Sequence, residues 1–501
     1  IIYKPSQNIL NCLIKLNKKK YNIEDFSLNS IWKNTSNLND KNFKKLHSFF
    51  WLFALDLKSS KKITQNIILN WINENEKYRQ HVWDLDILSK RIISWISNSK
   101  LTYETAEINY RQNFNNIIKK QTNHLVNEIK RSEKLDDKII GSTAIILVGL
   151  SYGDNYYLKV GIDLLKQILS FSLDKSKFPK SRNIRQLVFY LKYLIVIREL
   201  LKESQTNIPD FLMETIFYMG KAYNLLCANK KRGMLFNGNF EDSYQEFDNY
   251  LNFHKYKFKD DAYEIGGYVF LKNKKASLAI DIGRVPDKKF SRDYQAGIFS
   301  FEFNYLGEKI ISNSGYFQDY KHQLNIISKS TATQSTLILN NTSSVRFERD
   351  KYGHMLASKN FKILNKEIKS EKNFWLIKAS NDAYLKSNGL IHERQIQYFV
   401  NEYKLEGYDR LIKVKKFKTS NFEIRFHLQP EINLTKLINN DTILIENKNS
   451  GWKFTCKDYK IDIETGLYFG MKNKYFENKN IVISGLTTPE EQNIFWEISK
   501  V

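Results

Sequence analysis

The sequence predicts an α+β chain in two successive parts, a helical first half and an antiparallel, strand-rich second half. Two observations carry this. Early in the chain hydrophobic residues recur at helical spacing: in WDLDILSKRIISWI (83–96), Leu85, Leu88, Ile92, Trp95 and Ile96 share one face. From about Tyr263 onward, short β-branched and aromatic runs alternate with turn residues, as in KASLAIDIG (275–283), GIFSFEFNY (297–305), NFEIRFHL (421–428) and DTILIEN (441–447). Helices that precede strands, rather than alternate with them, argue against a parallel sheet and for two separately packed layer systems.

The elements follow in order. Residues 1–45 read as an irregular segment. Helical patterns then run roughly over 46–58, 62–75, 84–98, 104–131, 138–151, 154–172, 184–203 and 209–227. Short connections make them antiparallel pairs, as in a bundle, a solenoid or an α/α toroid. The lack of a fixed repeat period disfavours a solenoid of identical units. TAIILVGL (143–150) is too short to cross a bilayer and reads as a buried helix. The segment 231–251 bridges the halves, with turns marked by Gly233, Asn237, Gly238 and Asn239. Further strands are expected at 265–273, 308–315, 335–341, 396–401 and 480–485, and their density suggests a two-sheet sandwich. The domain reading is thus 1–45 irregular, 46–250 helical and 251–501 β-sandwich.

Composition narrows the partners. Lys and Arg number 78 against 54 Asp and Glu, a net charge of +24 that favours polyanions. The abundance of Lys, Asn and Ile throughout is also what an AT-rich genome produces, and KLNKKK (15–20) and KVKKFK (413–418) read as solvated faces. A nucleic-acid reading would rest on charge alone, so no nucleic-acid partner is expected. Cys12, Cys227 and Cys456 are far apart and form no CxxC, which excludes zinc ribbons and thioredoxin chemistry. The histidines form no HxH or HExxH, and no P-loop, dinucleotide turn or nucleophile elbow is present. No apolar run is long enough to span a membrane.

Ten blocks, in order, carry a family resemblance. They are WDLDILSKRIISW (83–95), QTNHL (121–125), SRN (181–183), GMLFNG (233–238), YQAGIFSFEF (294–303), ISNSG (311–315), STATQSTLIL (330–339), IHERQIQYF (391–399), LEGYDRL (405–411) and RFHLQP (425–430). Together they resemble the heparinase II/III family of polysaccharide lyases, in particular its alphaproteobacterial branch. The resemblance implies an incomplete α/α toroid followed by an antiparallel β-sandwich, a uronate-containing acidic polysaccharide as partner, a cell-envelope or periplasmic location, and β-elimination. Such chemistry neutralises the uronate carboxylate, removes the C5 proton and protonates the leaving O4. A non-catalytic glycan-binding protein on the same fold is the alternative.

The resemblance also nominates residues. Asn123 and His124 match the family's Asn-His, the amide to bind a carboxylate and the imidazole to neutralise charge or move a proton; the plain alternative is a helix-surface pair. Arg182 and Asn183 open a helix in SRN, where they either contact ligand or cap that helix. Relatives carry their catalytic Tyr in this loop, but here Gln186 falls near that position and Tyr190 a turn later. Tyr294 is the phenol beside Asp293, which stands where some relatives have a catalytic His. Arg91 and Trp95, with core packing as the alternative, and His392 and Arg394, which share a strand face and could instead ladder with acidic neighbours, are further substrate-binding candidates, and His427 reads as structural. Some family members hold zinc through His, Asp and His; the matching positions are Gln295, Asn313 and Gln334. Amides are poor zinc ligands, so no metal and no cofactor is expected.

Overall fold

The computed structural model describes residues 1–14, 40–259, 262–358, 360–414 and 416–501, so most of the expected irregular segment 1–45 lies outside the described residues. The chain forms two compact units. One comprises residues 1–173 with 188–219, the other 174–187 with 220–501. The division is not a single cut near 250, because 174–187 and the stretch from 220 fold with the strands. The backbone N–H of Leu235, for example, donates to Glu302 at 2.9 Å.

The helical unit is an incomplete α/α toroid built on the expected periodicity. Its helices include Lys61–Asn75, Leu85–Ser97, Ile108–Glu128, Leu135–Tyr152 and Asn155–Ser172. Asp40–His47 is also a helix, but 46–58 is not: Phe49 adopts a left-handed φ of 57° and residues 50–54 form a 3-10 turn. Leu135–Tyr152 is buried almost throughout, as TAIILVGL suggested. It pairs with Asn155–Ser172 through a two-residue turn. Gly153 closes the first helix at φ 65°, and the Asp154 carboxylate caps the second by accepting from the Tyr156 and Tyr157 N–H groups. Gly149 lets the two backbones touch; a Cβ there would lie 2.5 Å from the Leu158 nitrogen. This packing fixes where Tyr157 sits.

The second unit is an antiparallel β-sandwich. Among the described residues its sheets have eight, five, four and two strands. The largest sheet has at its centre Gln492–Lys500, Lys404–Lys413 and Leu390–Phe399, paired antiparallel. The aromatic content of the sequence is used here. Phe301 stacks on Trp496 at 5.6 Å, and Phe426 meets the same indole edge-on at 4.8 Å. Strands at Ile363–Ser370, Phe374–Asn381, Lys404–Lys413, Ser450–Thr455, Lys460–Tyr468 and Gln492–Lys500 were not read from the sequence, because charged residues interrupt their apolar runs. The run 265–273 is two strands rather than one, folded at Gly266-Gly267. The bridging segment holds a helix, Gln245–Phe253, and short helices occur at Gln323–Lys329 and Leu385–Asn388. No described helix is long and apolar enough to cross a membrane.

Candidate functional site

Helix Ile108–Glu128 buries Tyr110, Phe114, Ile117, Ile118, Gln121, Thr122 and Leu125. That stripe leaves Asn123 exposed and His124 half-buried. The Tyr157 hydroxyl donates to the Asn123 Oδ1 at 2.5 Å. With its oxygen engaged, the amide presents its Nδ2–H donors outward. The His124 ring lies against Trp83, edge-on at 5.3 Å, and against Tyr78 at 5.5 Å. Among the described residues its nitrogens have no hydrogen-bond partner. Burial lowers its pKa below the ordinary imidazole value, with Glu128 opposing weakly, so the ring is neutral at pH 7. The pair therefore offers an N–H donor and an unprotonated base side by side. The sequence reading did not find Tyr157; it stands in NYYLK with nothing to distinguish it from its neighbours.

The other helical-unit candidates are core. Arg91 is fully buried. Its guanidinium lies 4.1 Å over the Trp71 ring and donates to Gln121 and to the His47 and Val82 carbonyls. Trp95 packs edge-on against Trp71 and Phe49. Both are corrected from ligand contacts to packing: a stripe of helical period faced inward.

In the β unit, Arg182 is a clamp. Its Nε donates to the Gly266 carbonyl, Nη2 to the Gly267 carbonyl and Asp281, and Nη1 to Asp281 and the Arg284 carbonyl. All five donors are engaged, the group is buried, and its ring partner Tyr268 lies 4.7 Å below. Arg182 sits at φ 58°, a turn held by the Tyr268 hydroxyl, which donates to its carbonyl. It has no donor left for a ligand, which corrects the reading of Arg182 as a substrate contact. Asn183 does cap its helix, its Oδ1 accepting from the Arg185 N–H at 2.9 Å, while its Nδ2 donates to Asp293.

Asp293 gathers a polar cluster. It accepts from Asn183 (3.1 Å), from Arg185 (3.2 Å) and from the Tyr316 hydroxyl (3.2 Å). Gly238 makes room for it: at φ 82°, a Cβ there would fall 2.8 Å from both the Asn183 amide and the Asp293 Cβ. Arg185 and Asp293 remain partly exposed. Burial and the neighbouring carboxylate raise the Tyr316 pKa, so the phenol keeps its proton. Tyr294, by contrast, is buried among the sandwich core residues, a correction imposed by its apolar surroundings. Gln186 accepts from Ser181 at 2.6 Å and Tyr190 is buried, so neither supplies the missing phenol.

His392 and Arg394 also belong to the core, not to a surface. Arg394 forks onto Asp409 at 2.7 and 3.0 Å, His392 donates to the same carboxylate at 2.7 Å, and the Trp496 indole donates to it at 2.9 Å. Their shared strand face points inward, where Asp409 compensates them.

The positions that match the family's zinc ligands do not fit zinc. Gln295 Nε2 donates to the Ser328 and Gly315 carbonyls. Thr333 donates to that same Ser328 carbonyl, and Gln334 Nε2 donates to Thr333. Asn313 Oδ1 accepts from the Ser335 N–H, while its buried Nδ2 has no partner. Gln295 and Gln334 thus share one hydrogen-bonded network through Ser328 and Thr333, Asn313 is tied to the adjoining Ser335, and an amide N–H has the wrong polarity for a cation. Among the described residues no three His, Cys, Asp or Glu cluster as metal ligands. His427 closes the network: its Nε2–H donates to the Ala332 carbonyl, so Nδ1 accepts from Ser314.

Comparison with known proteins agrees with this architecture. Residues 258–497 match the family model "Heparinase II/III-like, C-terminal". No curated protein matches. Among solved structures, a mutant of the heparan sulfate lyase HepC from Pedobacter heparinus superposes with a TM-score of 0.71 at 14% identity, over 92% of this chain and 77% of that one. A heparinase III does so at 0.72 and 14%, over 100% and 86%. A chondroitinase AC lyase gives 0.53 at 10%, over 99% and 81%. At such identities the likeness is one of fold. Residues 258–497 are thus similar to the heparinase II/III-like C-terminal domain, and the chain shares its fold with heparan sulfate lyases.

Proposed function

We propose that the protein is a polysaccharide lyase that cleaves a uronate-containing polysaccharide by β-elimination. The observation that carries this is the Asn123 amide, turned by Tyr157 so that its N–H groups face outward beside a neutral, half-buried imidazole. An N–H donor on the uronate carboxylate stabilises the charge that builds as C5 loses its proton. His124 takes that proton as general base. The C4–O bond then breaks, C4=C5 forms, and the leaving O4 gains a proton. The fold shared with heparan sulfate and chondroitin lyases supports the reading. An envelope or periplasmic location fits such a substrate, and cell fractionation tests it.

A second reading, an acidic-glycan-binding protein without turnover, is favoured by one observation: the family's metal positions hold amides locked to backbone and hydroxyl groups. The deciding assay offers heparan sulfate, hyaluronan, alginate and polygalacturonate and follows the far-ultraviolet absorbance of the 4,5-unsaturated product. Product on any polymer supports the lyase. Binding without product on all of them supports the second reading.

A further inference from the structure

A basic recess lies wholly within the β unit, and neither the catalytic reading nor the resemblance uses it. It encloses about 270 Å³ between residues 228–232, the hairpin turn that joins Tyr268–Lys272 to Ala276–Asp281, and the turn at Gly307. Lys230, Lys231, Lys272, Lys274 and Lys275 line it, with Arg232 and Lys309. No Asp or Glu lines it among the described residues.

The cations differ in how they are compensated. Arg232 and Lys309 are already paired, with Glu431 at 2.7 Å and Glu302 at 3.1 Å. Lys275 donates to the Tyr403 hydroxyl. Lys231, Lys272 and Lys274 have no carboxylate partner among the described residues. Lys230 is held by the Leu225 carbonyl at 3.0 Å and over the Phe270 ring at 4.0 Å. Burial depresses its pKa to about 8, with Lys272 adding to the effect. Cations gathered in a recess without counter-charge create a local positive field that attracts an anion.

We infer that this recess is a second binding site for an acidic polysaccharide, which engages carboxylate or sulfate groups of the chain through Lys231, Lys272 and Lys274. The inference rests on the proposed handling of acidic glycans, and the residues favour that partner over nucleic acid. Asn273, Ser277 and Asn304 line the same recess and suit sugar hydroxyls. Its one aromatic, Phe270, is buried beneath Lys230, so no ring is offered for base stacking. Its volume falls below the usual range of about 300–1,000 Å³ for drug-sized ligands and suits a short segment of a longer polymer.

The test uses the full chain and the triple variant Lys231→Glu, Lys272→Glu, Lys274→Glu, with Lys→Ala versions to separate lost attraction from added repulsion. The probes are a heparin-derived hexasaccharide, an oligogalacturonate of the same length, neutral dextran and a short DNA duplex. The expected result is a Kd weakened by about tenfold or more for whichever acidic oligosaccharide the wild type binds, with a shallower salt dependence. Loss with heparin alone assigns sulfate, and loss with both assigns carboxylate as well. Cleavage of a short substrate, if the protein is a lyase, should be unchanged. Lost glycan binding in a protein that yields no unsaturated product upholds this site while overturning the lyase reading. Unchanged glycan affinity in the folded variant, or tighter binding to DNA than to any glycan at equal salt, overturns the site.

Discussion

The Tyr157 hydroxyl donates to the Asn123 side-chain carbonyl at 2.5 Å, from a helix whose start is fixed by the Gly153-Asp154 turn. This contact decides which end of the amide faces outward. Asn123→Ala should lower turnover by roughly 10²-fold or more, as for other single charge-stabilising donors. Tyr157→Phe keeps the ring and removes only the positioning bond. It should cost about tenfold, of the order of one hydrogen bond, and appear in kcat more than in KM. Steady-state kinetics on the best polymer substrate checks both. Equal kcat for Tyr157→Phe and wild type would remove Tyr157 from the mechanism.

His124 should reveal its role through pH. A base must be deprotonated, and burial lowers the His124 pKa below 6.5. The acid limb of kcat/KM should therefore lie below pH 6.5, with activity retained through neutrality. If the imidazolium instead neutralised the uronate, activity would disappear as pH rises through that same pKa. His124→Ala should lose about 10²–10⁴-fold if it transfers the proton.

Removing a clamp should affect folding before chemistry. Arg182→Ala leaves Asp281 buried without its guanidinium, and Asp409→Ala leaves Arg394 in the same condition. Each should cost about 3–5 kcal/mol of stability. Urea midpoints measure this, and a midpoint for Arg182→Ala equal to wild type would reopen Arg182 as a ligand contact.

Two buried histidines set an acid limit on stability. His47 accepts from the Trp71 indole and His427 lies in the amide network, and burial lowers both pKa values to about 3. Above about pH 6.5 both are neutral in folded and unfolded chains. As pH falls from there towards 3 the unfolded chain binds protons that the folded one does not, so stability declines. Thermal melts between pH 7 and pH 4 should show this fall, and His427→Gln should flatten it.

Amides at Gln295, Asn313 and Gln334 predict that this protein's stability does not depend on zinc. Purified protein should contain no stoichiometric zinc by elemental analysis, and EDTA should leave its melting temperature unchanged. One zinc per chain would contradict the donor polarity seen at Asn313.

The sequence by itself determined the order of the two units and most long helices, because periods of 3.6 and 2 report burial on one face whatever the neighbours are. It also brought Asn123 and His124 forward, through a motif match rather than any local physics. Tertiary structure decided the rest. Arg91, Trp95, Arg182, His392 and Arg394 carry ligand-like chemistry in sequence, yet each is buried with partners distant in the chain, such as Asp281 for Arg182 and Phe299 and Ser335 carbonyls for Arg394. Tyr157 and Tyr316 have no distinguishing neighbours in sequence; helix pairing brings the first to Asn123, and sandwich folding brings the second to Asp293. The basic recess likewise joins residues 228–232 to a hairpin some forty positions later. A pattern reads a residue's local face, but partners separated by long loops are fixed only when the chain has folded.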